Sequence, residues 1–231
     1  MLIAMVLCAG LLASVAAPAR AAEIFPEELY VAESRPHVCT LSSATMLVRA
    51  TLYVNGSSYW DDVLEPDVEA VAWIAGAGLR YTFTYDAPYA TITVGHTDVS
   101  GVSEEDLAAL LDEHPEGIVL YCGRLPHAVF LTDYEDGVFY VSDPAPYYAG
   151  CRIPLTEGWI GQCYNHDQNT ILANVTAYWS VTEADVVSDM EGIQLDTLAL
   201  SGGEAHAVEN VKTMLAAEKA TVTAVVQAMT V

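Results

Sequence analysis

The sequence predicts an α+β domain, and three observations carry that expectation. Apolar side chains at Leu41, Ala44, Met46, Leu47, Ala50 and Leu52 recur at helical spacing over residues 41–53. A second helix opens at Ser103-Glu104-Glu105-Asp106, a Ser cap followed by acids in the first turn, with Leu107, Leu110 and Leu111 as its inner face. Three apolar runs at hairpin spacing follow, 118–122, 127–134 and 138–142, and Glu135-Asp136-Gly137 supplies a tight turn between the last two. Helices followed by an antiparallel meander make an α+β arrangement.

Taken in order, the first helix ends at Asn55-Gly56-Ser57-Ser58. Residues 60–75 are acidic and intermittently apolar, which predicts a short helix around 67–74 that stops at Gly76-Ala77-Gly78. Residues 79–85 and 89–94 are rich in Tyr, Thr, Ile and Val and read as strands turning at Asp86-Ala87-Pro88. Pro115-Glu116-Gly117 closes the Ser103 helix. Residues 170–180 form a further strand candidate ending in Tyr178-Trp179. No internal repeat is visible.

The chain divides into three by composition. Residues 1–22 read as a secretory signal peptide: an apolar run from Leu2 to Ala17 leads to Ala17-Pro18-Ala19-Arg20-Ala21-Ala22, with cleavage expected after Ala21 or Ala22. That run has no Lys or Arg ahead of it, which is consistent with a start codon farther upstream. Cys8 lacks the preceding small residues of a lipidation site. Residues 23–181 are expected to form the folded domain. Residues 182–231 form an acidic C-terminal segment: Ser201-Gly202-Gly203 reads as a hinge, and Val208, Val211, Met214, Leu215, Val222, Val225, Val226 and Met229 follow at broadly helical spacing. This segment is either an amphipathic helix packed on the domain or a tail.

Charge narrows the partners. Eight basic residues face 31 acidic ones, a formal net charge of −23. Such a surface repels phosphate backbones and anionic headgroups, so neither nucleic acid nor a membrane surface is an expected partner. After signal cleavage no run approaches the roughly 18 residues a membrane span needs. The mature product is expected to be secreted, extracellular or at the cell surface. Nothing in the sequence fixes its oligomeric state.

Four cysteines follow the signal: Cys39, Cys122, Cys151 and Cys163. They contain no Cys-x-x-Cys pair, and His37, His96, His114, His166 and His206 lack ligand spacing, so no metal or other cofactor is expected. Export permits disulfides, and the loop-rich stretch between Cys151 and Cys163 makes those two the preferred bridge. Cys122 ends a short apolar run and reads as core. Asn55-Gly56-Ser57 and Asn174-Val175-Thr176 fit the glycosylation pattern.

Cys39 is placed differently, where the first helix begins. Free N–H groups and the positive end of a helix dipole favour an anion there, the condition for a nucleophilic thiolate. Such a nucleophile needs a base close in space and a third group to orient that base. His127 opens a strand after a Pro-containing loop, and Asp143 begins the turn after the neighbouring strand. If the two strands pair around Asp136-Gly137, His127 and Asp143 meet at one end of the hairpin, where a carboxylate can hold the ring by its second nitrogen. Asp133 and Asp136 read as strand-end and turn residues. His37 reads as a solvated loop residue, and Tyr147, Tyr148 and Trp159 read either as walls of a cleft or as packing.

The order Cys39-Thr40-Leu41-Ser42-Ser43-Ala44-Thr45-Met46, then Pro126-His127-Ala128-Val129, then Val141-Ser142-Asp143-Pro144 resembles the bacteriocin-processing-peptidase-like group of papain-like cysteine peptidases. The resemblance spans roughly residues 30–178. It implies a nucleophile-bearing helix packed on an antiparallel sheet, with Cys39 as nucleophile, His127 as general base and acid, and Asp143 as the orienting group. A peptide or protein substrate is implied, hydrolysed through an acyl-enzyme without a cofactor. The cysteine block departs from the usual Cys-Gly-Pro start of such proteins.

A second departure bears on catalysis. Papain-like enzymes usually carry a Gln about six residues before the nucleophile, where its amide joins the nucleophile's own N–H in stabilising the tetrahedral oxyanion. Here Glu33 holds that place, beside the substrate region around Thr40. An ionised Glu33 repels the oxyanion; a protonated one, with its pKa raised by burial, donates to it. A shifted register that brings Ser34 or Arg35 to the site is the third arrangement. The sequence is thus compatible with a secreted thiol hydrolase or with a weakened pseudopeptidase that binds peptides or proteins. A surface structural protein offers no account of the Cys, His and Asp blocks.

Overall fold

The computed structural model describes residues 25–147 and 150–189. The expected signal peptide, the hinge at Ser201-Gly202-Gly203, the expected C-terminal helix and Tyr148 lie outside these residues. Helices α1 (Cys39–Val54) and α2 (Glu65–Ala72) come first, then the two-residue strands β1 (Trp73–Ile74) and β2 (Gly78–Leu79), which pair with each other. Strands β3 (Thr82–Ala87) and β4 (Ala90–Asp98) form a hairpin, followed by helix α3 (Glu104–Glu113). The meander β5 (Ile118–Cys122), β6 (His127–Glu135), β7 (Val138–Asp143) and β8 (Gly150–Pro154) comes next. The short helices α4 (Trp159–Cys163) and α5 (Gln168–Ala173) lead into β9 (Ala177–Val186).

The main sheet has seven strands in the order β3-β4-β9-β5-β6-β7-β8, antiparallel throughout. The chain is therefore α+β. Its last strand enters the middle of the sheet, between β4 and β5, and extends past the change in composition at residue 182 to Val186. Both faces of the sheet are covered. Phe130, Val119, Ile92 and Val94 pack with Leu47, Val48 and Leu52 of α1 on one face. On the other, Val129, Leu131, Leu120 and Val141 pack with Leu107 of α3, Ile160 of α4 and Ile171 and Leu172 of α5. Burial on both faces explains why β5 and the first half of β6 read as continuous apolar runs without alternation.

Helix α1 is buried nearly all round, from Cys39 and Leu41 through Leu52. Its buried threonines are satisfied locally: Thr45 Oγ1 donates to the Leu41 carbonyl at 3.0 Å and Thr51 Oγ1 to that of Leu47 at 2.8 Å, whereas the buried Ser43 Oγ has no partner among the described residues. Arg49 is also buried, and it ties the helix to its surroundings by donating to the carbonyls of Val63 and Glu28, both at 2.8 Å. Glu65, at the start of α2, accepts from Ser42 Oγ of α1 at 2.6 Å and from Ser34 Oγ in the loop before it. One buried carboxylate thus fixes the loop that precedes Cys39.

Local signals explain most boundaries. Ser103 Oγ caps α3 by accepting the Asp106 N–H at 3.0 Å. Asp136 and Gly137 adopt φ of 51° and 85°, the left-handed pair that a two-residue hairpin turn requires. Three expectations are corrected. The run read as a strand from 170 begins as helix α5, because Asp167 accepts the Thr170 N–H and nucleates a turn; the strand begins at Ala177. Cys151 and Cys163 do not bridge: all four described cysteines are free thiols, with Cys151 Sγ facing the Glu27 carbonyl at 3.5 Å. Asp133 is no strand-end residue but a buried one within β6, paired with Arg152 at 2.9 Å. Among the described residues no helix is long and apolar enough to cross a membrane.

Phe130 is fully buried and packs against Phe25 with ring centroids 6.0 Å apart, beneath α1. Truncation leaves a cavity that the rigid sheet cannot close. Phe130→Ala is expected to lose about 3–5 kcal/mol, read as a lower denaturant midpoint at unchanged slope.

Candidate active site

Four stretches of chain converge at one end of the sheet: the loop at Glu33, the start of α1, the adjoining ends of β6 and β7, and the start of α4. Cys39 is the first residue of α1, and the chain turns into it through His37, which adopts φ of 69° and is exposed, as expected of a loop histidine. Residue Val38 at the cap position supplies no side-chain acceptor, so the first N–H groups of the helix await a partner from elsewhere. Phe130 pairs with Ser142 across β6 and β7, which places His127 and Asp143 on the same side of the two strands. The two strands pair antiparallel around Asp136-Gly137 as expected, and a bulge between Leu131 and Asp133 shifts their register on the way to the site.

Asp143 is completely buried, and its carboxylate is fully used. Oδ1 accepts from His127 Nε2 at 2.8 Å and from the Ala145 N–H at 2.9 Å; Oδ2 accepts from the Trp159 N–H at 2.8 Å. Gly158 makes the last approach possible, since a Cβ there would stand 2.7 Å from Oδ2. The Trp159 ring lies against the imidazole, centroids 5.0 Å apart. With Nε2 held by Asp143, Nδ1 of His127 is the nitrogen left to hydrogen-bond Cys39. Sulfur, imidazole and carboxylate form one continuous chain, and both Cys39 and His127 are 5% exposed, so little water competes with it.

Electrostatics favour a charged imidazole. Burial pulls the His127 pKa down, but the hydrogen bonds to Asp143 and Cys39 and the charges of both outweigh it and push it up to about 9. Burial raises the other thiols: Cys122 to about 12, and Cys151 and Cys163 in the same direction. Those three are poor nucleophiles.

Glu33 lies beside Cys39. Its N–H donates to the Pro144 carbonyl at 3.0 Å, and Tyr30 Oη donates to the Asp143 carbonyl at 3.0 Å, so residues 30–33 are pinned to the end of β7. Its carboxylate faces Cys39 closely enough for the cysteine's backbone N–H and thiol to help lower its pKa. One donor atom each from Glu33, Cys39 and His127 lies within 4.8 Å of the other two. Burial raises the Glu33 pKa, and the positive charge on His127 and the Cys39 N–H hold it back only in part. Neither Ser34 nor Arg35 takes its place: Ser34 turns to Glu65 and Arg35 pairs with Glu69. Thr40, the second residue of α1, is partly exposed.

Residues missed by sequence reasoning complete the surroundings. Tyr30 is held protonated, its pKa pushed up to about 12 by burial and then by the charges of Asp143, Cys151 and Glu33. Tyr121 of β5 is raised by burial and next by the charge of Cys39, which marks it as a neighbour of the sulfur, and it meets Trp179 edge-on at 6.1 Å. Tyr147 is 94% exposed, while Trp159, the other aromatic candidate, is part of the site through its backbone and ring. Asp143 was predicted, but its backbone donors carried no signal, because an N–H has no side-chain identity to read.

Two outcomes are expected. His127 titrates from an ordinary 6.5 in the unfolded chain to about 9 in the fold. Its stabilising contribution is therefore complete below about pH 6.5 and is lost as pH rises through about 9, a decline that Asp143→Asn removes from a pH series of denaturant midpoints. Gly158→Ala forces the Trp159 N–H and Asp143 apart. The His127 titration, followed by NMR, then moves below 9 while the fold persists.

Comparison with protein-family models, curated proteins and solved structures gave no significant match.

Proposed function

We propose that the chain is a secreted cysteine peptidase or amidase of papain-like architecture that hydrolyses a peptide or isopeptide bond through an acyl-enzyme. The observation that carries this reading is the buried line of Cys39, His127 and Asp143, in which one ring nitrogen is fixed by a saturated carboxylate and the other faces the sulfur. Nδ1 of His127 takes the thiol proton. The thiolate attacks the carbonyl carbon, the imidazolium protonates the leaving amine, and the C–N bond breaks to give a thioester. Water, deprotonated by the same imidazole, then attacks the thioester and frees Cys39.

The substrate class is a peptide or protein. The resemblance of the Cys39, His127 and Asp143 blocks to bacteriocin-processing-type peptidases supports that class, and the apolar, small-residue start of the chain supports export.

Glu33 sets the conditions for turnover. The backbone N–H of Cys39, the donor best placed for the oxyanion, faces the Glu33 carboxylate. Protonation removes that competing acceptor and turns the carboxyl into a second donor, so hydrolysis is favoured by the neutral form of Glu33. Burial, which raises the Glu33 pKa above that of a free carboxyl, favours the same form. The same contact supports the other reading, a pseudopeptidase that binds peptides or a protein partner, because an occupied oxyanion site costs on the order of 10²- to 10³-fold in turnover.

Alkylation separates the readings. With iodoacetamide at neutral pH, Cys39 is expected to react well ahead of Cys122, Cys151 and Cys163, and His127→Ala should abolish that lead. Uniform slow labelling would remove the enzyme. Glu33→Gln supplies a neutral donor at every pH. It is expected to raise kcat on a peptide amide at pH 7 by about 10²-fold and to flatten the alkaline fall in rate; an unchanged kcat would point to the binding module.

A further inference from the structure

The expectation that the chain holds no metal rested on ligand spacing along the sequence, where Glu33, Cys39 and His127 form no motif. The fold brings them together. A carboxylate oxygen, a thiol sulfur and an imidazole nitrogen, one from each, all lie within 4.8 Å of one another, with Cys39 and His127 buried and Glu33 half-buried. Tetrahedral zinc bonds of about 2.0 to 2.3 Å set donors roughly 3.3 to 3.8 Å apart. Small side-chain closure therefore completes the set. We propose that Glu33, Cys39 and His127 form a Zn2+ site that holds the catalytic pair in a reversibly inhibited state.

Four features of the site argue for zinc. The donors are S, N and O, a mixture suited to zinc, whereas magnesium and calcium take oxygen. His127 already donates Nε2–H to Asp143, the carboxylate–histidine arrangement that orients a metal-binding imidazole and fixes its tautomer. Three protein ligands leave a fourth position for water or a substrate carboxylate. Finally, Glu33 is the residue that turns a two-donor pair into a three-donor set: an amide there is a weak zinc ligand, but a carboxylate carries the charge the ion requires. The chain's net charge of −23 concentrates divalent cations around the molecule.

Occupancy and thiol chemistry exclude each other. Coordination uses the Sγ and Nδ1 lone pairs, and the protons they carry pass to solvent. The bound sulfur is then no longer free to attack, and the imidazole no longer free to move a proton. Chelation restores both. The inference rests on the proposed reading only for its inhibitory consequence; the metal site itself stands on the geometry.

The test is calorimetric titration of the metal-stripped full-length chain with Zn2+, with Co2+ as spectroscopic probe. Expected are one saturable zinc per chain, a thiolate-to-cobalt charge-transfer band that Cys39→Ala abolishes, and zinc protection of Cys39 from iodoacetamide that EDTA reverses. Glu33→Gln should weaken zinc by at least about 100-fold, and Asp143→Asn by about 10- to 100-fold as an outer partner. Circular dichroism confirms that the variants are folded. The site is overturned if zinc does not saturate, or if Cys39→Ala or the conservative Glu33→Gln binds it as the parent does. Zinc binding with no peptide hydrolysis by the chelated, metal-free chain sinks the hydrolase and keeps the metal site, and hydrolysis insensitive to added zinc does the reverse.

Discussion

The buried carboxylate of Asp143 is the constraint on which the site depends. A charge removed from water costs several kcal/mol unless its lone pairs are used, and here three donors use them: a ring nitrogen and two backbone N–H groups. Each donor belongs to a different part of the chain: the start of β6, the loop after β7, and the start of α4. Satisfying one side chain therefore orients the imidazole, closes the turn at Pro144 and docks α4. The glycine at 158 belongs to the same solution, since it is the approach of backbone to carboxylate that a larger residue would block.

From this anchor the remaining geometry is built outward. The imidazole, held at Nε2, presents Nδ1 to the first residue of α1. That helix is held by burial on nearly every side and by Arg49, while Glu65 ties the preceding loop to both α1 and α2. Glu33 is then trapped between the sulfur and the end of β7. It brings an acceptor to the start of α1, where Val38 supplies none. On the proposed hydrolase reading the same carboxylate favours the helix and obstructs an oxyanion, a conflict between fold and chemistry located at one residue.

Much of this was legible in the sequence where the signal is local. The Ser103 cap, the Asp136-Gly137 turn and the helix at Cys39 follow from residue types at fixed offsets. The turn also indicated that His127 and Asp143 share one end of the hairpin, but the bulge between Leu131 and Asp133 that brings them to the same face carried no sequence signal. Other features are set by non-local packing. Residues 168–173 hold Ile171 and Leu172 next to the β-prone Thr170, and only the Asp167 cap distinguished helix from strand. The preferred Cys151–Cys163 bridge failed because β8 turns Cys151 toward the segment at Glu27, a neighbour far away in sequence. Asp133 read as a strand-end residue because its partner Arg152 sits two strands farther along the meander. Glu33 was located by its offset from the nucleophile, but its approach to the Cys39 N–H required coordinates.

The position of β9 has a consequence for biosynthesis. The last of the described strands lies between β4 and β5, which are made far earlier, and it joins the two halves of the sheet. Until residues 177–186 leave the ribosome, the β3–β4 hairpin and the β5–β8 meander have no shared edge, and the surface on which α1 lies is split in two. A nascent chain carrying the cysteine near its start can lay α1 on β5 and β6, but the continuous sheet that buries the rest of that helix waits for β9. Timing is written into the order of strands, and closure of the sheet comes at the end of the described domain.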